Sequence, residues 1–444
     1  MSFLLFRLLP CITWLMAWCG FLLLKPIDRT PWQQCTFFKQ QQRALQQSPW
    51  MHAADAPLLA SWASCSLVPP FTTPVAIDAD RGGKHWKTVH DTVSVRVIVL
   101  HQGNMAVAII SCELLIVPPL VVTRVNELLQ KKGMGDYHLY FSATHAHSSI
   151  GAWHPSRIGE LFAGKFDARV PEFFAHQIVH AITSAQNQLD TAAVAYSSIP
   201  TTGLVYNRLV GYQGETDSLL RVLWIRKNNG ATAALASFAA HATCLHQGTM
   251  EVSGDWPSAW VRDVQRKKLV DFPFFMAGGV GSMGPAIHLG NKWETVDAMA
   301  SGVATAFEKI FAQPHHWQSK GLAFRKFPLH MREPNLRANH HFALRTKWFN
   351  TFFGKADIAM TLLAIGPVKL IGMPCDFSGE LTDDIASGYD APVMITSFNG
   401  GYIGYITKDC HYEMDAYETK TMGWFGPQNG DYLVHLARWS LKGY

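Results

Sequence analysis

The sequence predicts an α/β fold: a mixed β-sheet core flanked by helices, one large domain behind an N-terminal transmembrane helix. Three observations carry this reading. Short apolar runs rich in strand-forming residues alternate with segments whose apolar residues recur near every 3.6 positions. Three of the apolar runs end on chemically active residues, in "THAH", "AAHATC" and "MPCDF". And residues 8–24, "LLPCITWLMAWCGFLLL", form an unbroken apolar run between Arg7 and the pair Lys25 and Arg29.

That run is near the lower end of the roughly 17–25 residues that cross a bilayer. No A-x-A-like site follows it, which favours an uncleaved anchor, assigned to 3–24, over a removed signal peptide. Positive residues flank both sides, so charge does not set the orientation. Residues 25–55 are polar, Gln-rich and punctuated by prolines, and read as a stalk with a short helix around 36–47. The body, 56–444, runs on without linker, repeat or low-complexity tract.

Within the body, "VSVRVIVL" (93–100) and "MAVAIISCE" (105–113) are strands joined by the turn "HQGN", a hairpin. "PPLVVTRVNELLQKKG" (118–133) is a helix with proline in its first turn and Gly133 past its end. "HLYFSAT" (138–144) is a strand, so His145 and His147 stand at its carboxyl end, and 170–189 is a helix by its apolar spacing. "AAVAYSSI", "LLRVLWIRK" and "AALASFAAHAT" follow as strands, and 357–377 supplies two more, ending at Asp376. In open α/β sheets ligands gather beyond such strand ends.

The 444 residues are 48% hydrophobic and 16% charged, with a net charge of +5. That suffices for a large core, and no Lys/Arg run is dense enough to track a phosphate backbone, so nucleic acid is not a partner. The eight cysteines include no C-x-x-C pair, so neither a zinc ribbon nor a thioredoxin-type motif is present, and no disulfide connectivity follows from them.

On an extended backbone residues i and i+2 share a side, so His145 and His147 can line one site. His241 ends an apolar run, where an unpartnered imidazole is costly to bury; a core histidine bonded to backbone is the competing reading. Asp376 and Glu380 follow another apolar run, where a helix-start acid is the competing reading. Tyr402 and Tyr405 lie behind a double-glycine turn, as ligands or as packed aromatics. Two histidines and a carboxylate with an open position are the donor set of a catalytic zinc.

"SATHAHS" (142–148), "YNR" (206–208), "FAAHAT…VSGDWPSAW", "GGVGSMGP" (278–285), "MPCDFSGEL" (373–381) and "NGGYIGYIT…YE" occur in the order found in neutral/alkaline ceramidases. The upstream "SLVPPFTTPV" is similar to that family's N-terminal segment, so the resemblance spans residues 58–440. It resembles a short, anchored bacterial branch lacking the family's C-terminal immunoglobulin-like domain. The resemblance implies a zinc-dependent hydrolase of the amide bond in ceramide or a related N-acyl lipid. It implies zinc held by His145, His241, Asp376 and the weaker ligand Tyr402, with His147 and Arg208 acting on the substrate carbonyl and the transition state. Asp255 becomes a supporting or structural acid, and 56–444 the catalytic domain, held at a membrane on the periplasmic or extracytoplasmic side. Three positions depart from the family pattern. Asp376 replaces a glutamate. Where the family reads G-D-V-S-P-N this chain reads Gly281-Ser282-Met283-Gly284-Pro285-Ala286, so the functional serine falls on Gly284 in what reads as a Gly-rich turn. A family glycine is replaced near Ile77. Two alternatives stay open from the residues alone: a hydrolase of another amide or ester on the same scaffold, and an inactive surface protein binding lipid or glycan.

Overall fold

The computed structural model describes residues 23–77, 81–313, 315–354 and 358–442. Two sheets lie at its centre. The larger has eight strands in the order β9-β8-β7-β6-β2-β3-β4-β5: β2 (Leu58–Ser66), β3 (Ser94–Gln102), β4 (Met105–Cys112), β5 (His138–Ala143), β6 (Asp190–Pro200), β7 (Leu219–Lys227), β8 (Thr232–Phe238) and β9 (Phe272–Ala277). The smaller has five, in the order β1-β10-β11-β12-β13: β1 (Met51–His52), β10 (Leu322–Pro328), β11 (Ala359–Ile365), β12 (Val368–Met373) and β13 (Val393–Ser397). Their inner faces form one core, in which Ile98, Leu235 and Phe274 of the larger sheet meet Phe324, Leu363 and Met394 of the smaller. Helices α2 (Pro119–Lys131) and α4 (Arg169–Gln186) cover one half of the outer face of the larger sheet. Helices α5 (Asp255–Arg266) and α6 (Lys292–Phe311) cover the other half. The mixed α/β fold expected from the alternating patterns is observed.

The same substructure occurs three times. In each, an antiparallel hairpin leads through a helix to a strand that returns parallel to the second hairpin strand: β3-β4-α2-β5, β7-β8-α5-β9, and β11-β12-α8-β13 with α8 at Thr382–Ala386. Each hairpin turns on a glycine in the left-handed region, Gly103, Gly230 and Gly366, as the twist of paired strands favours. The three returning strands β5, β9 and β13 touch one another. Hydroxyls stitch them together: Ser142 Oγ donates to Ser397 O at 3.1 Å, and Ser397 Oγ to Gly278 O at 2.7 Å. The carboxyl ends of all three units therefore open at one place.

Two expectations change at the amino end. The stalk reading of 25–55 does not hold, because this segment packs on the body. Trp32, Phe37, Leu45 and Trp50 enter a core cluster with Phe327, Leu436 and Tyr432, and β1 pairs with β10. Helix α1 (Thr36–Gln47) falls where the short helix was expected. It hides the buried Gln41, whose Nε2 donates to Pro328 O at 3.2 Å while its Oε1 accepts from His330 N–H at 2.7 Å. The expected anchor, 3–24, lies outside the described residues except for Leu23 and Leu24; Leu24 opens a strand, Leu24–Pro26, paired with Phe342–Leu344. Among the described residues no helix is long and apolar enough to cross a membrane, and no disulfide is present.

Candidate metal centre

The first of the three units ends at β5, and the chain then turns sharply. His145 takes φ +63, an uncommon left-handed conformation for a residue other than glycine. That turn directs the ring inward, stacked on Phe398 at 4.2 Å, with Nδ1 2.7 Å from Leu115 O. From the second unit, His241 lies three residues beyond β8, fully buried, with Nδ1 2.7 Å from Val280 O. The two histidines are arranged alike: a backbone carbonyl holds the Nδ1 proton, leaving the Nε2 lone pair facing the centre. The third unit supplies Asp376, whose Oδ1 is 3.4 Å from Nε2 of both His145 and His241. Its Oδ2 accepts from Tyr402 OH at 2.7 Å. His147 joins them: one ring nitrogen each of His145, His147 and His241 lies within 4.8 Å of the others.

Electrostatics fix the charge states. Burial, aided by the Arg208 charge, pushes His145 down to about 3 and holds His147 and His241 well below the ordinary imidazole value. The three rings are neutral, the form that binds a metal. Burial raises the Asp376 carboxyl to about 7 against the opposing pull of the Tyr402 hydrogen bond and Arg208.

Arg208 reaches the centre from the loop after Val205–Asn207. Its Nε is 2.9 Å from Glu418 Oε1, and its Nη2 donates to Tyr405 OH at 2.8 Å and Gly281 O at 3.2 Å. Tyr405 OH is in turn 3.2 Å from His241 Nε2. Glu418 went unassigned from the sequence, although it ends the "YE" of the last motif. Asp255 stands apart as the first residue of α5. It accepts backbone N–H groups of Cys244, Leu245 and Trp256, and Trp256 Nε1 donates to His241 O at 3.0 Å. It therefore supports the loop carrying His241. Glu380 is 3.2 Å from His411 Nε2 and takes no part in the cluster.

The departures acquire physical content. Residues 283–285 are not a turn but a short strand paired with 205–207. A Cβ at Gly284 would stand 2.6 Å from Tyr206 Cε1, so the Tyr206 ring occupies the space a serine there would need. The Ser282 side chain is buried and its Oγ has no partner. Ile77, at φ +55, keeps a backbone conformation that suits glycine, a strain on the order of 1–3 kcal/mol for a β-branched residue.

Above the centre lies a cavity of about 370 Å³, within the size range of small-molecule sites. His145, His147, Tyr402 and Tyr405 form its polar end. Its walls are mainly apolar, among them Ile116, Trp153, Phe162, Phe349, Ile358 and Trp424, with His154, Ser156, Asn350 and the exposed Glu333 as polar members. The donors suit a divalent metal. Buried Asp376 Oδ1 and His147 Nε2 have no hydrogen-bond partner, and nitrogen and carboxylate donors around one point match zinc's preferences.

Fold and site together define an α/β protein with a candidate metal centre bordering a mainly apolar cavity. Neutral ceramidase from Pseudomonas aeruginosa shares the fold: the TM-score is 0.73 at 17% identity, over 87% of this chain and 74% of that one. A ceramidase complexed with C2 gives 0.76 at 15% identity, over 86% and 74%. The chain matches no family model and no curated protein. The fold expected from the motif resemblance is thus the fold found.

Proposed function

We propose that the protein is a zinc-dependent hydrolase that cleaves the amide bond of ceramide or a related N-acyl lipid. The convergence of neutral imidazoles with Asp376, two of them, His145 and His147, lining a mainly apolar cavity, carries this reading, supported by the shared fold of the two ceramidases. His145, His241 and Asp376 would hold the metal, with Tyr402 as the weaker ligand. When bound, zinc supplies Lewis acidity and lowers the pKa of water to about 7.

The chain's own groups do the rest. The apolar walls take the acyl chain and keep bulk water from the scissile carbonyl. Water adds to the carbonyl carbon, and the negative charge developing on its oxygen is met by the Arg208 guanidinium, already held in place by Glu418, Gly281 O and Tyr405. His147, neutral at rest, takes the proton released by water. It is placed to pass that proton to the leaving nitrogen as the C–N bond breaks. The products are a fatty acid and an amine. The reading includes an anchor in the apolar run 8–24 and a catalytic domain on the periplasmic or extracytoplasmic side; protease accessibility in intact and permeabilised cells tests the latter.

The decisive experiment measures zinc and N-acyl-sphingosine hydrolysis in the purified chain and in His145→Ala. Loss of both is expected; a variant with full activity overturns the metal reading. The Tyr206–Gly284 contact favours a second reading, a different amide or ester substrate on the same scaffold, separated by comparing ceramide with simple N-acyl amino acids.

A further inference from the structure

The cavity mouth is bordered by large apolar side chains that face outward. Helix α3 (Arg157–Ala163) contributes Ile158 and Phe162 to the wall, and helix α7 (Thr346–Phe353) contributes Phe349 and Phe353. The two helices pack against each other. On their outer sides Leu161 is 57% exposed and Phe352 38%. Leu120 at the start of α2, beside the wall residue Pro119, is 44% exposed, and Tyr417 is 47% exposed. These exposed apolar groups lie next to the cavity lining rather than scattered over the surface, with the exposed Glu333 as the acidic member of the lining. Exposed Arg157 and Lys347 lie on the same two helices.

A second observation concerns the path of the chain. Leu23 O accepts the N–H of Arg345 at 2.8 Å, Leu24–Pro26 pairs with Phe342–Leu344, and Lys25 Nζ donates to Thr346 Oγ1 at 2.8 Å. The apolar run that ends at Leu24 therefore meets the body at the first turn of α7, on the border of the cavity mouth.

We infer that the α3–α7 lip, with Leu120 and Tyr417, is a bilayer-docking surface that sets the cavity mouth against the lipid from which the N-acyl substrate is drawn. The occupant is a bilayer rather than a second protein because the apolar run enters the body at this border. Leu161 and Phe352 lie in the acyl-chain boundary, while Arg157 and Lys347 meet lipid phosphates at the headgroup level, the arrangement of interfacial helices. The inference rests on the hydrolase reading only for the direction of substrate entry.

The test uses the full chain reconstituted in phosphatidylcholine/phosphatidylglycerol vesicles, with an environment-sensitive fluorophore at Leu161→Cys, at Phe352→Cys or, as control, at Ser301→Cys on α6. Each variant is made in a background with the other reactive cysteines replaced. The lip labels are expected to shift to the blue and to be quenched by acyl-chain nitroxide lipids, and the α6 label is not. In parallel, Leu161→Glu/Phe352→Glu is expected to lower the ratio of turnover on vesicle-embedded long-chain substrate to turnover on water-soluble short-chain substrate by at least tenfold. Lip labels that stay accessible to iodide and unquenched by nitroxide lipids overturn the docking surface, as does a lip buried in a dimer by crosslinking. Quenched lip labels in a protein that hydrolyses no N-acyl lipid would leave the docking surface standing and remove the hydrolase reading.

Discussion

Gly284→Ser restores the serine of the ceramidase pattern and tests whether Tyr206 has taken its place. The new Cβ would stand 2.6 Å from Tyr206 Cε1, 3.0 Å from Cζ and 3.2 Å from the hydroxyl. Ordinary carbon contacts begin near ~3.5 Å, so the ring must retreat by about 1 Å. Its retreat displaces the largely exposed Tyr212, stacked on it at 5.0 Å, and His288, edge-on at 6.1 Å. Overpacking of this kind costs about 1–3 kcal/mol. With an unfolding entropy of about 2.1 cal/mol/K per residue, a loss of ~2 kcal/mol lowers Tm by only about 2 °C in a chain of 444 residues. The midpoint of urea unfolding, read together with its slope, is therefore the better assay. In a Tyr206→Ala background the contact is gone and the entropic handicap of glycine in a strand, about 0.5–1 kcal/mol, dominates. There the serine is neutral or stabilising. The expected coupling between the two sites is ~2 kcal/mol. An equal cost of Gly284→Ser in both backgrounds would show that Tyr206 does not exclude the serine.

Three further outcomes follow from the geometry. Tyr402→Phe deprives the buried Asp376 carboxylate of its 2.7 Å donor; zinc affinity, measured by competition with a chromophoric chelator, is expected to fall about 10–100-fold. Arg208→Lys cannot span Glu418, Tyr405 and Gly281 at once; kcat is expected to fall about 10²–10³-fold with little change in the melting curve, and an unchanged kcat removes Arg208 from the transition state. Asp255, raised by burial to about 6, binds its proton more tightly folded than unfolded. Its contribution to stability is thus greatest below pH ~4 and declines as pH rises to ~6, by at most about 3 kcal/mol. Asp255→Asn is expected to abolish that slope in urea unfolding at pH 4 to 7, at a cost of about 1–3 kcal/mol for the Leu245 N–H that loses its acceptor.

Elements with strong local periodicity were legible. The hairpin expected at 93–100 and 105–113 is Ser94–Gln102 and Met105–Cys112, and the helix expected at 118–133 is Pro119–Lys131. Residues 25–55 misled because Gln41, which composition marks as solvent-facing, is buried through two backbone hydrogen bonds. Without it the buried stripe of α1 is too thin to read. At the site, the motifs nominated His145, His147, His241, Asp376, Tyr402 and Arg208, and the fold brings all six to one place. What sequence could not show is relation across distance: that Glu418 fixes Arg208, that Tyr405 reaches His241, and that Tyr206 fills the space over Gly284. Such contacts depend on tertiary placement, to which neither periodicity nor spacing is sensitive.

The threefold recurrence of hairpin, helix and returning strand has a consequence for assembly. His145, His241 and Asp376 each come from a different unit, so no unit holds more than one of these groups. Their joining closes long chain loops, the slow kind of event in folding. An ion that needs all three binds only after every unit has docked. Metal uptake would then be the last step of maturation, a late latch on an otherwise completed fold, and its rate would report how quickly the three parts find one another.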